Sequence, residues 1–419
     1  LFYKSFMGGY TMEKLKRIED FEGMALGMFV HWGLYAQMGR GEWIMHQELI
    51  PKEEYSKLKN TFTAEDYDPA EWVKTAKSAG AKYMVVTTRH HDGFSLYDTC
   101  GLSDYDAPHS PAGRDLIAEY VDACRAEGLV PFFYHTTLDW YQDSFQEDFD
   151  AYLDYLLHSV EILCTRYGKI GGLWFDGNWS KPDADWKLDR LYGMIRKYQP
   201  DAMIINNTGL DSRGTISHPE VDSVTFEQGL PHLRKQTGGK YITSEMNLTL
   251  NDHWGYGKGD LNYKSPAQLI KTLCTCRRAG ANMLFNIGPE AQGKVPMMSK
   301  LLAQMLGQWM DMFGEAIYQG RPCSIVGGGN DFALEGADGS IYLFIYDLGI
   351  SGPANVTVGR RGSRLATFSG IQKKVSKAYW MDNGQQLPFI QDAEKGMFTM
   401  NAPGYDYGSQ YVVRVAKLV

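Results

Sequence analysis

Between Met28 and Pro289, eight short apolar, β-rich runs recur with helix-patterned segments between them: MFVHWG (28–33), YMVVTTRHHDG (83–93), LVPFFYHT (129–136), GGLWFDG (171–177), AMIINNTG (202–209), SVTFEQG (223–229), YITSEMN (241–247) and NMLFNIGP (282–289). Strands apolar along nearly their whole length must be buried on both faces, as in a parallel sheet covered by crossover helices. Eight such units over roughly 270 residues match a (β/α)8 barrel, which typically takes about 250. In DPAEWVKTAKSAG, Asp68 is the expected N-cap, Pro69 opens the first turn, Trp72, Val73, Ala76 and Ala79 share a face, and Gly80 stops the helix. RDLIAEYVDACRAEG repeats the pattern up to Gly128. Further helices are expected near 149–167, 185–198, 265–279 and 297–313, with those after strands six and seven short or missing.

After Tyr318 the helical period disappears. Runs such as IYLFIYD, ANVTVG, KAYWMD and QYVVRVAKL alternate with Gly, Asn and Asp turns. This predicts two domains, a catalytic barrel over 1–318 and an all-β sandwich over 319–419.

The 42 basic and 50 acidic residues are interspersed and leave a net charge of −8, which removes the basic footprint of a nucleic-acid binder. No apolar run reaches the ~20 residues of a membrane span, so no membrane association is expected. No positively charged segment followed by an apolar one opens the chain, although Leu1 in place of Met suggests an upstream segment trimmed away. A cytoplasmic location is favoured, with a secreted or periplasmic one left open. The six cysteines lack metal-ligand spacing and read as reduced, buried thiols.

In a barrel the residues at the C-terminal strand ends line the active-site mouth. Here they are His31 and Trp32; His90, His91 and Asp92; Tyr134 and His135; Trp174 and Asp176; Asn206 and Asn207; Glu227; Glu245; and Asn286. Each alone reads most simply as a turn residue satisfied by the backbone; together they converge on one chemistry. Two carboxylates in a polar pocket walled by aromatics are the equipment of glycoside hydrolysis. Asp176, beside histidines and amides, suits the ionised partner, and Glu227, beside Val224 and Phe226, suits the protonated one. Glu245 is a third candidate. The same set admits a metal-dependent barrel hydrolase, since His31, His90, His91 and an Asp match zinc ligand types, but strand one carries FVHWG in place of the HxH usual there. A sugar-binding protein with a decayed site is the other alternative, opposed by the intact pair of carboxylates.

In order, MFVHWGLYA, GEWIM, TTRHHDGFSLYDT, FFYHTTLDW, GGLWFDG, TFEQGLP, SEMNLTLNDHWGY and NMLFNIGPEAQG resemble the α-L-fucosidases of glycoside hydrolase family 29. The resemblance implies retaining double displacement without metal or cofactor, acting on fucosylated oligosaccharides or glycoconjugates. It places the nucleophile on Asp176 and, through the pattern of Thr225, Glu227, Gln228 and Pro231, the acid/base on Glu227. Glu245, with Ser244 where the family usually has Trp, becomes a pocket or support residue and the reserve acid. Fucose-binding roles carry over to His31, Glu42, Trp43, His90, His91, Tyr134 and Trp174, with His135 sharing that of Tyr134. Phe29, Trp174 and Phe285 are candidates to face the sugar's methyl group. Some members have an Arg after the fifth strand where this chain has Asn206, Asn207 and Thr208; either Arg213 replaces it or the contact is lost. The E-Q-x-x-P form resembles the branch that prefers α-1,3/4-linked fucose.

Overall fold

A computed structural model of the protein describes residues 14–234, 236, 239–353, 355–357 and 363–419. Eight parallel strands close into a barrel: β1 Leu26–Val30, β2 Tyr83–Arg89, β3 Val130–Thr136, β4 Gly172–Asp176, β5 Met203–Asn206, β6 Ser223–Glu227, β7 Thr243–Thr249 and β8 Ala281–Ile287. Their residues are almost all buried, as strands covered on both faces must be.

The helices are α1 Lys16–Met24, α2 Pro69–Ser78, α3 Leu116–Ala126, α4 Phe149–Arg166, α5 Leu188–Tyr198, α6 Pro266–Arg278 and α7 Met297–Gln319. Asp68 caps α2 by accepting from the Ala70 N–H, and Asp115 caps α3 by accepting from Ile117 and Ala118. Helix α6 opens with a capping box between Ser265 and Gln268 and is a full thirteen residues long. This agrees with the helix expected near 265–279 and corrects the expectation that the one after strand seven would be short or missing. Among the described residues the gaps follow β5, where only a single turn at Leu210–Ser212 forms, and β6. Helix α1 lies ahead of the first strand and was not among the expected helices. Its Ile18 and Phe21 enter the same cluster as the inward residues Tyr83 and Phe132, with Phe21 ring centroids 5.3 and 5.8 Å from theirs, and so fill the N-terminal end of the barrel.

By contacts the chain divides into two compact units. One holds the barrel residues up to Pro231, the stretch ending at Lys264, and Asn282–Gln304; the other holds His232–Arg234, Ser265–Ala281 and Met305–Val419. In the second, β9 Arg321–Gly327, β10 Phe332–Glu335, β11 Ile341–Ile345, β12 Arg364–Ser369, β13 Ala378–Trp380, β14 Phe389–Asp392, β15 Met397–Ala402 and β16 Arg414–Leu418 form an antiparallel sheet. The strands run in one continuous order, β13-β16-β11-β10-β9-β12-β15-β14, because β9 pairs with β10 and, at its end, with β12. Leu343 and Trp380 from one half share a core with Phe368 and Phe398 from the other, so the sheet folds back over its own apolar face. Of the run ANVTVG, positions 354, 358 and 359 fall outside the described residues, and Asn355 and Val356 form a turn in place of the expected strand.

Asp222, immediately before β6, binds the barrel's lower end. Its buried carboxylate accepts from the Ile204 N–H at 2.9 Å and pairs with Arg17, Arg196 and Lys240 at 3.0, 2.6 and 2.9 Å. Burial opposes its charge, but the three cations prevail and hold its pKa below the usual carboxylate value. Asp222→Ala, which leaves these cations without their common anion, is expected to cost about 3–5 kcal/mol in urea unfolding. The wild-type contribution should be complete above the unfolded pKa of about 4 and disappear as pH falls through the lower folded value.

Candidate active site

The site follows from the two-residue period of the strands. Phe29, Tyr134, Trp174, Ile205 and Leu284 point inward and pack in one cluster. Tyr134 pairs with Trp174 and Trp174 with Ile205. Two residues further along each strand, the next inward positions are His31, Thr136, Asp176, Asn207 and Asn286. His31 and Asn207 stay in the pleat because their N–H groups extend the ladders to Ile287 O and Phe175 O.

Asp176 ends β4, and its side chain is 14% exposed. One oxygen, Oδ1, accepts from Trp179 Nε1 at 2.9 Å and Asn207 Nδ2 at 3.1 Å. The other accepts from the Tyr134 hydroxyl at 3.1 Å and faces His91 Nε2 at 3.4 Å. Burial alone would raise its pKa, but these partners reverse the balance and hold it below the ordinary value. The acid is therefore an anion throughout the neutral range. Gly177 follows in the left-handed region at φ 112°, where a Cβ would lie 2.6 Å from the Leu138 nitrogen. Only glycine lets the chain leave the strand so sharply at that point.

Glu227 ends β6, and its Oε2 accepts from the same Asn207 Nδ2, at 2.8 Å. Burial first, and then the negative charge of Asp176, push its pKa up to about 7. Two carboxylates sharing one donor thus sit in opposite protonation states near neutrality. Arg213 donates to the Glu227 backbone carbonyl and is not a ligand of Asp176, which instead accepts from the Asn207 amide.

Around this pair, His31 Nδ1 meets Asn286 Oδ1 at 2.7 Å, while Asn286 Nδ2 donates to the Trp254 carbonyl at 2.6 Å. That second bond fixes the amide's orientation, so Nδ1 carries the proton and Nε2 is left as an acceptor. Burial pushes the His31 pKa down to about 3, which keeps the ring neutral. His90 stacks on Tyr134 at 5.6 Å, is likewise held neutral by burial, and has a buried Nδ1 with no protein partner. His91 Nδ1 meets Thr136 Oγ1 at 2.6 Å. Glu42 accepts from the Trp254 and Gly255 N–H groups at 3.1 and 2.8 Å, which ties the loop after β1 to the loop after β7. Trp43 stacks on Trp179 at 6.0 Å and lies edge-on to His91 and Trp140 at 5.4 and 5.0 Å.

Not every expected residue joins the site. His135 faces outward, one step off the inward parity of Tyr134. Its Nε2 reaches Ser159 on α4 at 2.7 Å, and it does not join the site. Glu245 is fully buried one pleat below the mouth, because β7 runs on to Thr249 and the register sets Glu245 beside Thr225 and Asn247 beside Glu227. Tyr83 and Trp174 donate to its two oxygens, and burial raises its pKa to about 7. It supports Trp174 from beneath. Parity also turns Asn206 and Phe285 outward, Asn206 to the Tyr192 hydroxyl at 2.8 Å. Phe29 keeps its place, with its ring 5.2 Å from Trp174 and 4.4 Å from His31.

Two residues, Trp140 and Trp254, were not singled out by the strand-end reading, and neither was the bridging role of Asn207. The two tryptophans stand in quoted motifs, but their approach to Trp43 and His31 depends on loop paths. Strand parity separates the inward Asn207 from the outward Asn206. Among the described residues no group of three or more His, Cys, Asp or Glu side chains is placed to hold a metal ion.

A family model described as Alpha-L-fucosidase matches residues 10–315. An alpha-L-fucosidase isoenzyme 1 from Paenibacillus thiaminolyticus is 34% identical, with a TM-score of 0.82 over 96% of this chain and 98% of that one. A tissue alpha-L-fucosidase of Rattus norvegicus is 26% identical over 331 residues, 72% of this chain and 70% of its own. A Bacteroides thetaiotaomicron alpha-L-fucosidase GH29, trapped as a covalent intermediate with 2-fluoro-fucosyl fluoride, is 23% identical, with a TM-score of 0.82 over 98% of both chains. With the family model spanning most of its length and the carboxylate pair at the mouth of the barrel, the chain belongs to the α-L-fucosidases of glycoside hydrolase family 29.

Proposed function

We propose that the protein releases terminal α-linked L-fucose from glycans by retaining double displacement, with Asp176 as nucleophile and Glu227 as acid and then base. The observation that carries this is the spacing of the two carboxylates. Both accept from one amide nitrogen, at 3.1 and 2.8 Å, whose two protons diverge, so the accepting oxygens are roughly 5 Å apart. That is the retaining spacing; an inverting pair leaves roughly 6.5–9.5 Å for a water. A covalent intermediate has been trapped in the Bacteroides relative.

In the first step an Asp176 oxygen attacks the anomeric carbon, the bond to the aglycone breaks, and Glu227 gives its proton to the departing oxygen. In the second, Glu227 takes a proton from water. The water oxygen attacks the same carbon, the ester to Asp176 breaks, and both groups return to their starting states. His31, with Nε2 free to accept, and His90, with its unpartnered Nδ1, suit sugar hydroxyls; Phe29 and Trp174 offer an apolar surface for the 6-methyl group of fucose. The E-Q-x-x-P turn supports a preference for α-1,3/4 linkages. There Gln228 takes a left-handed backbone at φ 50°, and its side chain holds Thr249 at 2.8 Å, which fixes the approach to Glu227.

Asp176→Ala should lower kcat by roughly three orders of magnitude or more with the fold intact, and added azide should restore turnover as β-fucosyl azide. Near-full activity in that variant overturns the assignment. Because Glu227 must hold its proton, wild-type kcat/KM should fall as pH rises through about 7, and Glu227→Ala should abolish that limb. The same variant should lose far more activity on natural glycans than on aryl fucosides with good leaving groups, and azide should then give the α-azide. A panel of Lewis, blood-group H and core-fucosylated glycans tests the linkage: the Lewis types should be cleaved fastest, and equal rates on all three remove the α-1,3/4 preference.

A further inference from the structure

Asn207 does more than line the mouth. Its Oδ1 accepts from the Thr225 hydroxyl at 2.9 Å and from the Gly209 N–H at 3.3 Å. With two donors on that side, the oxygen cannot be exchanged for the nitrogen, and Nδ2 must face the carboxylates. Both Nδ2 protons are committed, one to Asp176 Oδ1 and one to Glu227 Oε2. The residue is 3% exposed, so water does not compete for either bond. Trp179 Nε1 donates to the same Asp176 oxygen but not to Glu227, which makes it a built-in comparison.

We propose that Asn207 is the positioning residue of the catalytic pair, a clamp whose one amide nitrogen sets the spacing of Asp176 and Glu227 and gives each of them a proton to accept through both halves of the reaction. The inference rests on the assignment of those two carboxylates as nucleophile and acid/base. In the free enzyme the amide supports the Asp176 anion and restrains the rise in Glu227 basicity that burial and the neighbouring charge impose. Once Asp176 is esterified its charge is gone. The bond to Glu227 then stabilises the carboxylate that must act as base. An arginine would supply a full positive charge and hold both groups ionised; a neutral amide supports the two carboxylates without forcing Glu227 to give up its proton before the substrate arrives.

The test is the pH profile of kcat/KM on a fucosylated oligosaccharide, whose leaving group needs the Glu227 proton, measured for wild type, Asn207→Ala, Thr225→Val and Trp179→Phe. Asn207→Ala removes a donor from both carboxylates, so both limbs should move to higher pH, each by about half a unit or more, with kcat/KM at the optimum down roughly tenfold or more. Thr225→Val, which only loosens the amide's orientation, should shift both limbs the same way by less. Trp179→Phe should move the acid limb alone. A proportional loss of activity with both limbs in place, in Asn207→Ala and Thr225→Val alike, overturns the clamp and leaves Asn207 a packing residue. Glu227→Gln separates this from failure of the underlying assignment. If the alkaline limb survives in Glu227→Gln, the carboxylate roles are wrong; if it disappears there but Asn207→Ala leaves both limbs unmoved, only the clamp is wrong.

Discussion

The site depends on strand parity inside the closed barrel. A β-strand offers every second residue to the axis, and a barrel of eight fixes which ones by register. Once Tyr134, Trp174 and Phe29 form the aromatic floor, the next inward residue on each strand has no freedom: Thr136, Asp176 and His31 must stand above them. The floor itself is braced from below, because Trp174 donates to the buried Glu245, which also accepts from Tyr83. A carboxyl group so placed serves orientation, and the Trp174 indole cannot rotate without leaving one of its oxygens unsatisfied.

Magnitudes decide how two acids in one pocket acquire different jobs. At roughly 5 Å and an effective dielectric of 20, a charge on Asp176 makes a second charge on Glu227 costlier by roughly 3 kcal/mol, on the order of two pKa units. Partial burial adds to this, and one shared amide bond offsets only part of it. Asp176 has Trp179, Asn207, Tyr134 and His91 around its oxygens, while among these groups only Asn207 reaches the side chain of Glu227. The asymmetry in donors therefore decides which acid ionises first, and the repulsion between them keeps the other protonated.

The strand count, the helix caps at Asp68 and Asp115 and the identity of the mouth residues were legible in the sequence, because each rests on local rules of period and capping. What was lost came from register and from contacts distant in the chain. A strand start misplaced by two residues put Glu245 at the rim instead of one pleat down, and an undecided parity kept His135 beside Tyr134. Helix α1 escaped notice because it is short and carries no side-chain cap, its apolar residues finding their partners only inside the barrel. Asn207 was legible as a strand-end amide. Its bridge was not, since that depends on β4, β5 and β6 ending at one level.

The loops of the rim are held to one another by their own side chains. Glu42 fastens the loop after β1 to Trp254 and Gly255, Trp254 lies 5.1 Å from the His31 ring, and Trp43 stacks on Trp179, which is itself bonded to Asp176. Loops from β1, β4 and β7 therefore brace one another around the carboxylate pair. His31 and His90 are neutral because burial keeps them so, which makes His31 an acceptor toward the pocket and prevents a cation at either ring from neutralising Asp176 in advance. A braced rim with uncharged imidazoles directs the interaction of Asp176 toward the positive charge that develops at the anomeric carbon, which exists only in the transition state.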